Sequence, residues 1–252
     1  MSSEILVFNN VTSGGGDTPT PTAILITDSL YTHLDSYDIV KKNWHDRMGH
    51  YNFVSDVSFG YTTTAYNLHC EKELRDYKMA YCNSFKFGAF PFTLEFTVVI
   101  SEAQSHAILC SCTTLSKFKI CCNGDNHLGM YSTNASPNEV KGLIPVSSIT
   151  DNSLHVIDFV FVSSGKLLSY LDGVLITTNN STIFSSSMLS QACSFHLGDA
   201  DYVFIGYLYS FRFYKKELSE YEIRCNCLYE ASQERTDVSS DAEQSYFLEK
   251  WN

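Results

Sequence analysis

Apolar and polar residues alternate with a period of two through much of this chain, the spacing of half-buried strands rather than of helices. After Pro91, residues Phe92, Leu94, Phe96, Val98 and Ile100 fall on one side of an extended backbone, with Thr93, Glu95 and Thr97 on the other. That segment predicts a strand with one wet face. Leu154 to Val162 is apolar on both sides, which puts it mid-sheet under a second layer. After Ser163, Ser164 and Gly165, the run Lys166 to Ile176 folds back at Asp172-Gly173. Both central positions of a two-residue hairpin loop need positive φ, and Asp-Gly supplies it. Toward the C-terminus, Ile205, Tyr207, Tyr209, Phe211 and Phe213 take one face, and Gly206, Ser210 and Arg212 the other. Ala107 to Cys112, Phe118 to Cys122 and Leu128 to Tyr131 are shorter strands split by polar turns, notably Asn123-Gly124.

Helical signals are few. Ser219 and Glu222 have the spacing of a capping box, in which hydroxyl and carboxylate satisfy backbone N–H groups reciprocally. A short helix is expected from there to about Tyr229. Residues 71–80 form either a short helix or a charged loop. Trp44, Asp46, Gly49 and Asn52 read as an ordered loop entering a strand: Trp44 buries, Gly49 turns the backbone, and Asp46 accepts backbone N–H groups. Glu4 to Val11 reads as a strand, and the Gly- and Pro-rich stretch to Pro21 as a flexible connector. The remainder, 22–252, shows many short antiparallel strands and no repeat. It predicts a single all-β domain, a two-sheet antiparallel jelly-roll sandwich with a short helix near the C-terminus.

Composition then narrows the function. Hydrophobic residues at 44% and charged residues at 18% describe a globular chain, and 16 Tyr with 17 Phe suit pleated surfaces. The net charge is −11, and no run of basic residues exceeds two. Nucleic acid needs a concentrated basic face, so it is not the partner; anionic lipid is disfavoured for the same reason. No apolar run reaches the roughly 18 residues of a membrane span. Glu4, with no basic residue before a short apolar run, makes a poor signal peptide. A cytoplasmic location is the default expectation, with an extracellular or particle surface by another route as the alternative. Zinc at Cys110, Cys112, Cys121 and Cys122, or at Cys225 and Cys227, is disfavoured because a single intervening residue rarely chelates. Small buried thiols are the expectation for these cysteines.

The same phrases resemble the laminin-G-like members of the concanavalin A-like lectin/glucanase superfamily. Leu154-His155-Val156 with Tyr170-Leu171-Asp172-Gly173-Val174 is similar to the family's histidine-led strand and Asp-Gly hairpin. Gly206, Leu208, Phe211, Arg212, Phe213 and Tyr214 match its glycine-containing strand, followed by Leu218, Ser219, Glu222 and Ile223 in its Leu-Ser-x-x-Glu-Ile turn. Phe92 to Phe96 corresponds to its first core strand, and Trp44, Asp46, Gly49 and Asn52 to its early loop. The resemblance implies a concanavalin A-like β-sandwich. Members are commonly carbohydrate- or protein-binding modules, some with a loop-bound calcium ion, and others are glycoside hydrolases.

Hydrolases of that group resemble a Glu-x-Asp-x-x-Glu pattern on one strand, and no such triplet occurs here. Retaining hydrolysis needs two carboxylates about 5 Å apart. His155 has no Ser or Cys partner at meaningful spacing and reads as a packed histidine. Asp199 and Asp201 are calcium candidates, because alternate carboxylates on a loop offer the several oxygens a hard cation wants; Asp125 and Asn126 are a second contributor. Turn capping by these Asp and Asn residues is the competing reading. Tyr131, Asn134, Asn138 and Tyr202 are the candidates for sugar contact, as aromatic platforms beside amides or carboxylates. The expectation is a non-catalytic module for a glycan or protein surface, with Ca2+ as its one candidate cofactor. The alternative is an assembly protein forming a homo-oligomer, its N-terminal arm added to a neighbour's sheet edge. A glycoside hydrolase ranks third.

Overall fold

The computed structural model describes residues 20–40, 43–55, 61–62, 65–67, 80–103, 105–112, 118–123, 125–132, 141–179, 189–198 and 204–233. In chain order the strands are β1 (Leu30–Val40), β2 (Asn43–Asp46), β3 (Asn52–Val54), β4 (Tyr61–Thr62), β5 (Ala65–Asn67), β6 (Ala80–Phe85), β7 (Phe92–Ala103) and β8 (Ile108–Cys112). They continue as β9 (Phe118–Cys122), β10 (His127–Ser132), β11 (Lys141–Pro145), β12 (Leu154–Phe161), β13 (Leu167–Leu171), β14 (Val174–Asn179), β15 (Cys193–Leu197) and β16 (Phe204–Tyr214). A 13-residue helix, α1 (Glu220–Ser232), follows β16. The predicted strand over Glu4 to Val11, the connector and residues 71–79 lie outside the described residues.

The strands form one antiparallel ladder rather than two separate sheets, in the order β11-β10-β9-β8-β15-β6-β3-β2-β1-β16-β7-β12-β13-β14. The joint is β1. Its first residues pair with β16 (Leu34 opposite Phe211) and its last with β2 (Ile39 opposite Trp44), so one strand serves both halves. The ladder curls on itself. Five strand spacings separate β15 from β16, about 24 Å if the sheet were flat. Yet the rings of Phe195 and Phe211 stand 5.5 Å apart, and Phe85 reaches Phe213 at 5.2 Å. A single aromatic-rich core fills the space between the halves. At the far ends β11 packs beside β13 and β14, which nearly closes the sheet.

Local patterns place most of this correctly. Phe92, Leu94, Phe96, Val98 and Ile100 all point into that core. Asp172 and Gly173 form the expected hairpin turn, at φ 52° and 75°. Ser219 and Glu222 make the capping box, and α1 runs three residues beyond the predicted Tyr229. Trp44 is fully buried, its Nε1–H donating to the Asp35 carbonyl at 2.7 Å. Asp46 accepts the backbone N–H groups of His33, Met48, His50 and Tyr51 at 2.8 to 3.0 Å, which fixes the loop through Gly49.

Two expectations need correction. Thr93, Glu95 and Thr97 are fully buried, so β7 has no wet face. Helix α1, with Leu218 just before it, lies over that side: Leu218, Ile223, Cys227, Leu228 and Ala231 pack on Val156, Val160, Tyr170 and Tyr214. The second correction concerns β16. Its pairing with β7 slips between Leu208 and Ser210, and the extra residue of such a bulge reverses the side to which later side chains point. Phe204, Leu208, Phe211 and Phe213 therefore enter the main core, while Tyr209 packs with Val99 and Leu154 on another patch, flanked by Tyr207. Gly206 sits at the other slip in this pairing, where backbone meets backbone. A Cβ there would overlap the Val99 carbonyl oxygen and stand 2.8 Å from Ile100 Cα.

Candidate functional site

Three polar groupings stand out, and two of them are internal fixtures. Under α1, directly paired positions of neighbouring strands put Arg212 (β16), Glu95 (β7) and Asp158 (β12) in one row. All three are fully buried, as is Glu230 of the helix. The Arg212 guanidinium makes ion pairs to both Glu95 and Glu230. Burial would lower its pKa, but the Glu95 charge and hydrogen bond, with the Tyr214 and Tyr229 oxygens, together outweigh it and raise the value. Asn226 Nδ2 donates to Glu95 Oε2 at 2.6 Å and to the Tyr214 hydroxyl at 3.0 Å. Burial, and then the Glu95 charge, push the Asp158 carboxyl well above the usual carboxylate range. Both influences favour the neutral form of the Asp158 carboxyl. The pair Glu95 and Asp158 is sealed beneath a helix, where no substrate reaches it.

The second grouping holds the β12 entry against the β13–β14 hairpin. His155 Nδ1 lies 3.0 Å from Asp172 Oδ2, and Nε2 lies 2.9 Å from Asp151 Oδ1. Asp172 Oδ1 also accepts the Val156 N–H at 3.0 Å. Burial would lower the His155 pKa, but hydrogen bonds to, and charges on, Asp172 and Asp151 outweigh it and raise the value. Both ring nitrogens are occupied by carboxylates, so His155 is a clamp and not a general base.

The third grouping crosses the other half of the ladder. Tyr131 lies opposite Lys119, Lys119 opposite Ser111, Ser111 opposite His196, and His196 opposite Tyr81. Directly opposed residues of an antiparallel sheet share a face. These five therefore form one row across β10, β9, β8, β15 and β6, turned away from the core that takes Ile120, Cys112, Phe195 and Cys82. Tyr81 stacks on His196, with ring centroids 5.8 Å apart. Beside them Ser194 Oγ donates to Asn83 Oδ1 at 2.7 Å and lies 2.7 Å from His196 Nε2. A hydroxyl has a single proton. With that proton on Asn83, the imidazole Nε2–H must donate to Ser194, so the serine is not activated as a nucleophile. The chain of donors ends at the Asn83 amide, an exposed residue. Strands β6, β8, β9, β10, β11 and β15 contain no Asp or Glu at all.

Of the residues predicted from sequence, Tyr131 belongs to this row and is half-buried. Asn134, Asn138, Asp199, Asp201 and Tyr202 lie outside the described residues. Asp125 and Asn126 occupy a turn that caps itself: Asn123 Oδ1 accepts the Asp125 and His127 N–H groups at 3.0 and 2.9 Å. The Asp125 carbonyl oxygen lies 2.8 Å from His127 Nδ1, and the Asn126 carbonyl accepts the Val146 N–H at 2.9 Å. Those main-chain oxygens are engaged within the turn. Among the described residues no three His, Cys, Asp or Glu side chains gather as metal ligands. The eight described cysteines are buried. Sequence reasoning missed Tyr81, Asn83, Ser111, Lys119, Ser194 and His196. The absence of carboxylates from six strands of an acidic chain was the signal that could have found them.

No family model matches the chain, and no curated protein does either. Solved structures do resemble it. The Trypanosoma rangeli sialidase in complex with sialic acid matches at TM-score 0.56 and 15% identity, over 81% of this chain and 33% of the sialidase. The chain thus spans about one third of that enzyme. Domain 4 of AbnA, a GH43 extracellular arabinanase from Geobacillus stearothermophilus solved with arabinotriose, matches at TM-score 0.55 and 16% identity. That match covers 78% of this chain and 97% of the domain. A mutant of HCR/D matches at TM-score 0.60 and 16% identity, over 81% of this chain and 52% of that one. At such identities the likeness is one of all-β fold.

Proposed function

We propose that this chain is a non-catalytic binding module for a glycan, built on a laminin-G-like sandwich whose two layers are the two halves of the curled ladder. The observation that carries the reading is the polar row Tyr131, Lys119, Ser111, His196 and Tyr81 on strands without a carboxylate, in which Tyr131, Lys119 and Tyr81 are half-buried, Ser111 and His196 are buried, and the exposed Asn83 stands beside them. Retaining and inverting glycosidases alike need a pair of carboxylates at the scissile bond. The likeness to domain 4 of AbnA, matched over nearly its whole length and solved with arabinotriose, supports a sugar as the ligand. Calcium enters this reading through Asp199 and Asp201, with Asp125 as an accessory carboxylate.

A glycan array probed with the full chain, once in calcium and once in chelator, tests the proposal. Binding in both supports a module that needs no metal, and binding in calcium alone supports the calcium reading, with Asp199→Ala and Asp201→Ala testing its candidate ligands. Silence in both refutes the glycan reading. Self-association is favoured by a different observation: strand β14, last in the ladder, exposes Leu175 (43%) and Ile176 (37%). Light scattering on the full chain and on a chain beginning at Thr22 decides it, with loss of oligomers on removing 1–21 as the supporting outcome.

A further inference from the structure

We infer that α1 is a proton-controlled lid: loss of the Asp158 proton releases the helix from the sheet while the strand ladder stays intact. The lid is independent of what the module binds. The cluster beneath the helix holds three buried carboxylates, on Glu95, Asp158 and Glu230, and one guanidinium, on Arg212. Arg212 is engaged by the first and the last of these. Among the described residues no ion pair reaches Asp158. Glu95 lies directly opposite it on β7, Tyr170 directly opposite it on β13, and the Asp172 charge acts on it from the β13–β14 turn. Tyr214 of β16 and Tyr229 of α1 complete the surroundings: the Tyr214 hydroxyl is held by Asn226, and the Tyr229 ring lies 5.5 Å from the Arg212 guanidinium. Of all these groups only Arg212 is cationic. Directly opposed side chains of antiparallel strands stand about 5 Å apart at Cβ, so an ionised Asp158 faces the Glu95 carboxylate at close range with no counter-ion of its own.

The helix is the element that yields. Its apolar contacts belong to a small core of their own, separate from the aromatic-rich main core. Strands β7, β12 and β16 are hydrogen-bonded to one another, and those ladders do not involve α1. The polar ties of the helix converge on the cluster: Asn226 on Glu95 and Tyr214, and Glu230 on Arg212. Its N-terminal end is fixed elsewhere. Thr93 Oγ1 donates to the Lys216 carbonyl at 2.9 Å and accepts the Leu218 N–H at 3.2 Å. Opening therefore pivots near Ser219 and lifts the half that carries Asn226 and Glu230, which admits water to the carboxylates. Units with few apolar contacts open locally, below the cost of global unfolding. The closed state holds the Asp158 proton at a raised value, and the open state releases it near the ordinary 3.8. The open fraction thus rises up to tenfold per pH unit between those two values and is level above the higher one.

The chain carries its own reporters. Cys227 is fully buried where α1 meets the sheet and reports opening, while Cys110 and Cys112 lie in the main core and report global unfolding. The full chain is labelled with 4,4′-dithiodipyridine from about pH 4 to about pH 9, and the modified sites are read by mass spectrometry. Rates are normalised at each pH to an unstructured cysteine peptide, which removes the titration of the thiol itself. Cys227 should react at least tenfold faster than Cys110 and Cys112, and its normalised rate should climb at least tenfold with pH before levelling. Asp158→Asn should abolish the climb and leave Cys227 ahead of the strand thiols. Amide hydrogen exchange of the parent alone keeps the test decisive if that variant does not fold: amides 226–232 should lose protection with pH ahead of those of β7 and β12. A flat Cys227 rate in the parent, an equal climb in the variant, or Cys227 reacting in step with Cys110 and Cys112 overturns the inference.

Discussion

Replacing Arg212 by Met tests the row beneath α1. The side chain is fully buried and pairs with two carboxylates, Glu95 and Glu230, that are equally buried. Removing the cation strands both charges. Breaking a buried pair from one side costs about 3–5 kcal/mol, against a total stability of about 5–15 kcal/mol for a domain. Asn226 still donates to Glu95, and Ser210 Oγ lies 3.3 Å from Glu230 Oε1, so the loss should fall near the lower figure. The stranded carboxylates respond by taking up protons. Their folded pKa values then exceed the unfolded ones, the native state holds more protons, and stability falls as pH rises. Urea denaturation followed by circular dichroism should show a loss of about 3 kcal/mol near pH 8 that shrinks near pH 5.5. The triple variant Glu95→Gln, Arg212→Met, Glu230→Gln should recover much of it, because no buried charge remains. A loss below about 1 kcal/mol, or one equal at both pH values, would refute the assignment of Arg212 as the counter-ion of a sealed site.

Three further outcomes are expected. Asp158 has a raised folded pKa, so its proton supports the fold fully below the ordinary value of 3.8 and that support fades as pH climbs through the raised value. Asp158→Asn keeps the shape without the titration, and should flatten the fall in urea midpoint as pH rises above 3.8; an unchanged slope contradicts the raised value. His155 is also raised, so the clamp on Asp172 and Asp151 is complete below 6.5 and weakens as pH passes the folded value. His155→Gln should be least stable relative to the parent at the acidic end of that window, measured by thermal melts across it, and a constant difference would sink the clamp. Gly206→Ala must push β16 off Val99 and Ile100, which predicts a loss of about 1–3 kcal/mol or insoluble protein; a neutral variant would contradict the close approach.

What could be read from the sequence was whatever is local. The alternation from Phe92 to Ile100, the Asp172-Gly173 turn and the Ser219–Glu222 box each depend on residues within a few positions, and each is found where the pattern puts it. Parity failed at Tyr209 because a bulge is a relation between two strands, and one strand's pattern does not contain it. The wet face assigned to Thr93, Glu95 and Thr97 failed because α1, which covers it, arrives from a distant part of the chain. Polar residues there are buried because partners such as Arg212 and Asn226 meet them. The row from Tyr131 to Tyr81 was illegible for a related reason. Strand β15 inserts between β8 and β6, so His196 becomes the neighbour of Ser111 and Tyr81 only through strand order.

The most direct test of the glycan reading is a titration of nitrogen-15-labelled protein with arabinotriose, followed amide by amide. The account predicts shifts concentrated at Tyr81, Asn83, Ser111, Lys119, Tyr131, Ser194 and His196, with α1 silent. Shifts gathered on the α1 side, or spread without a centre, would contradict it.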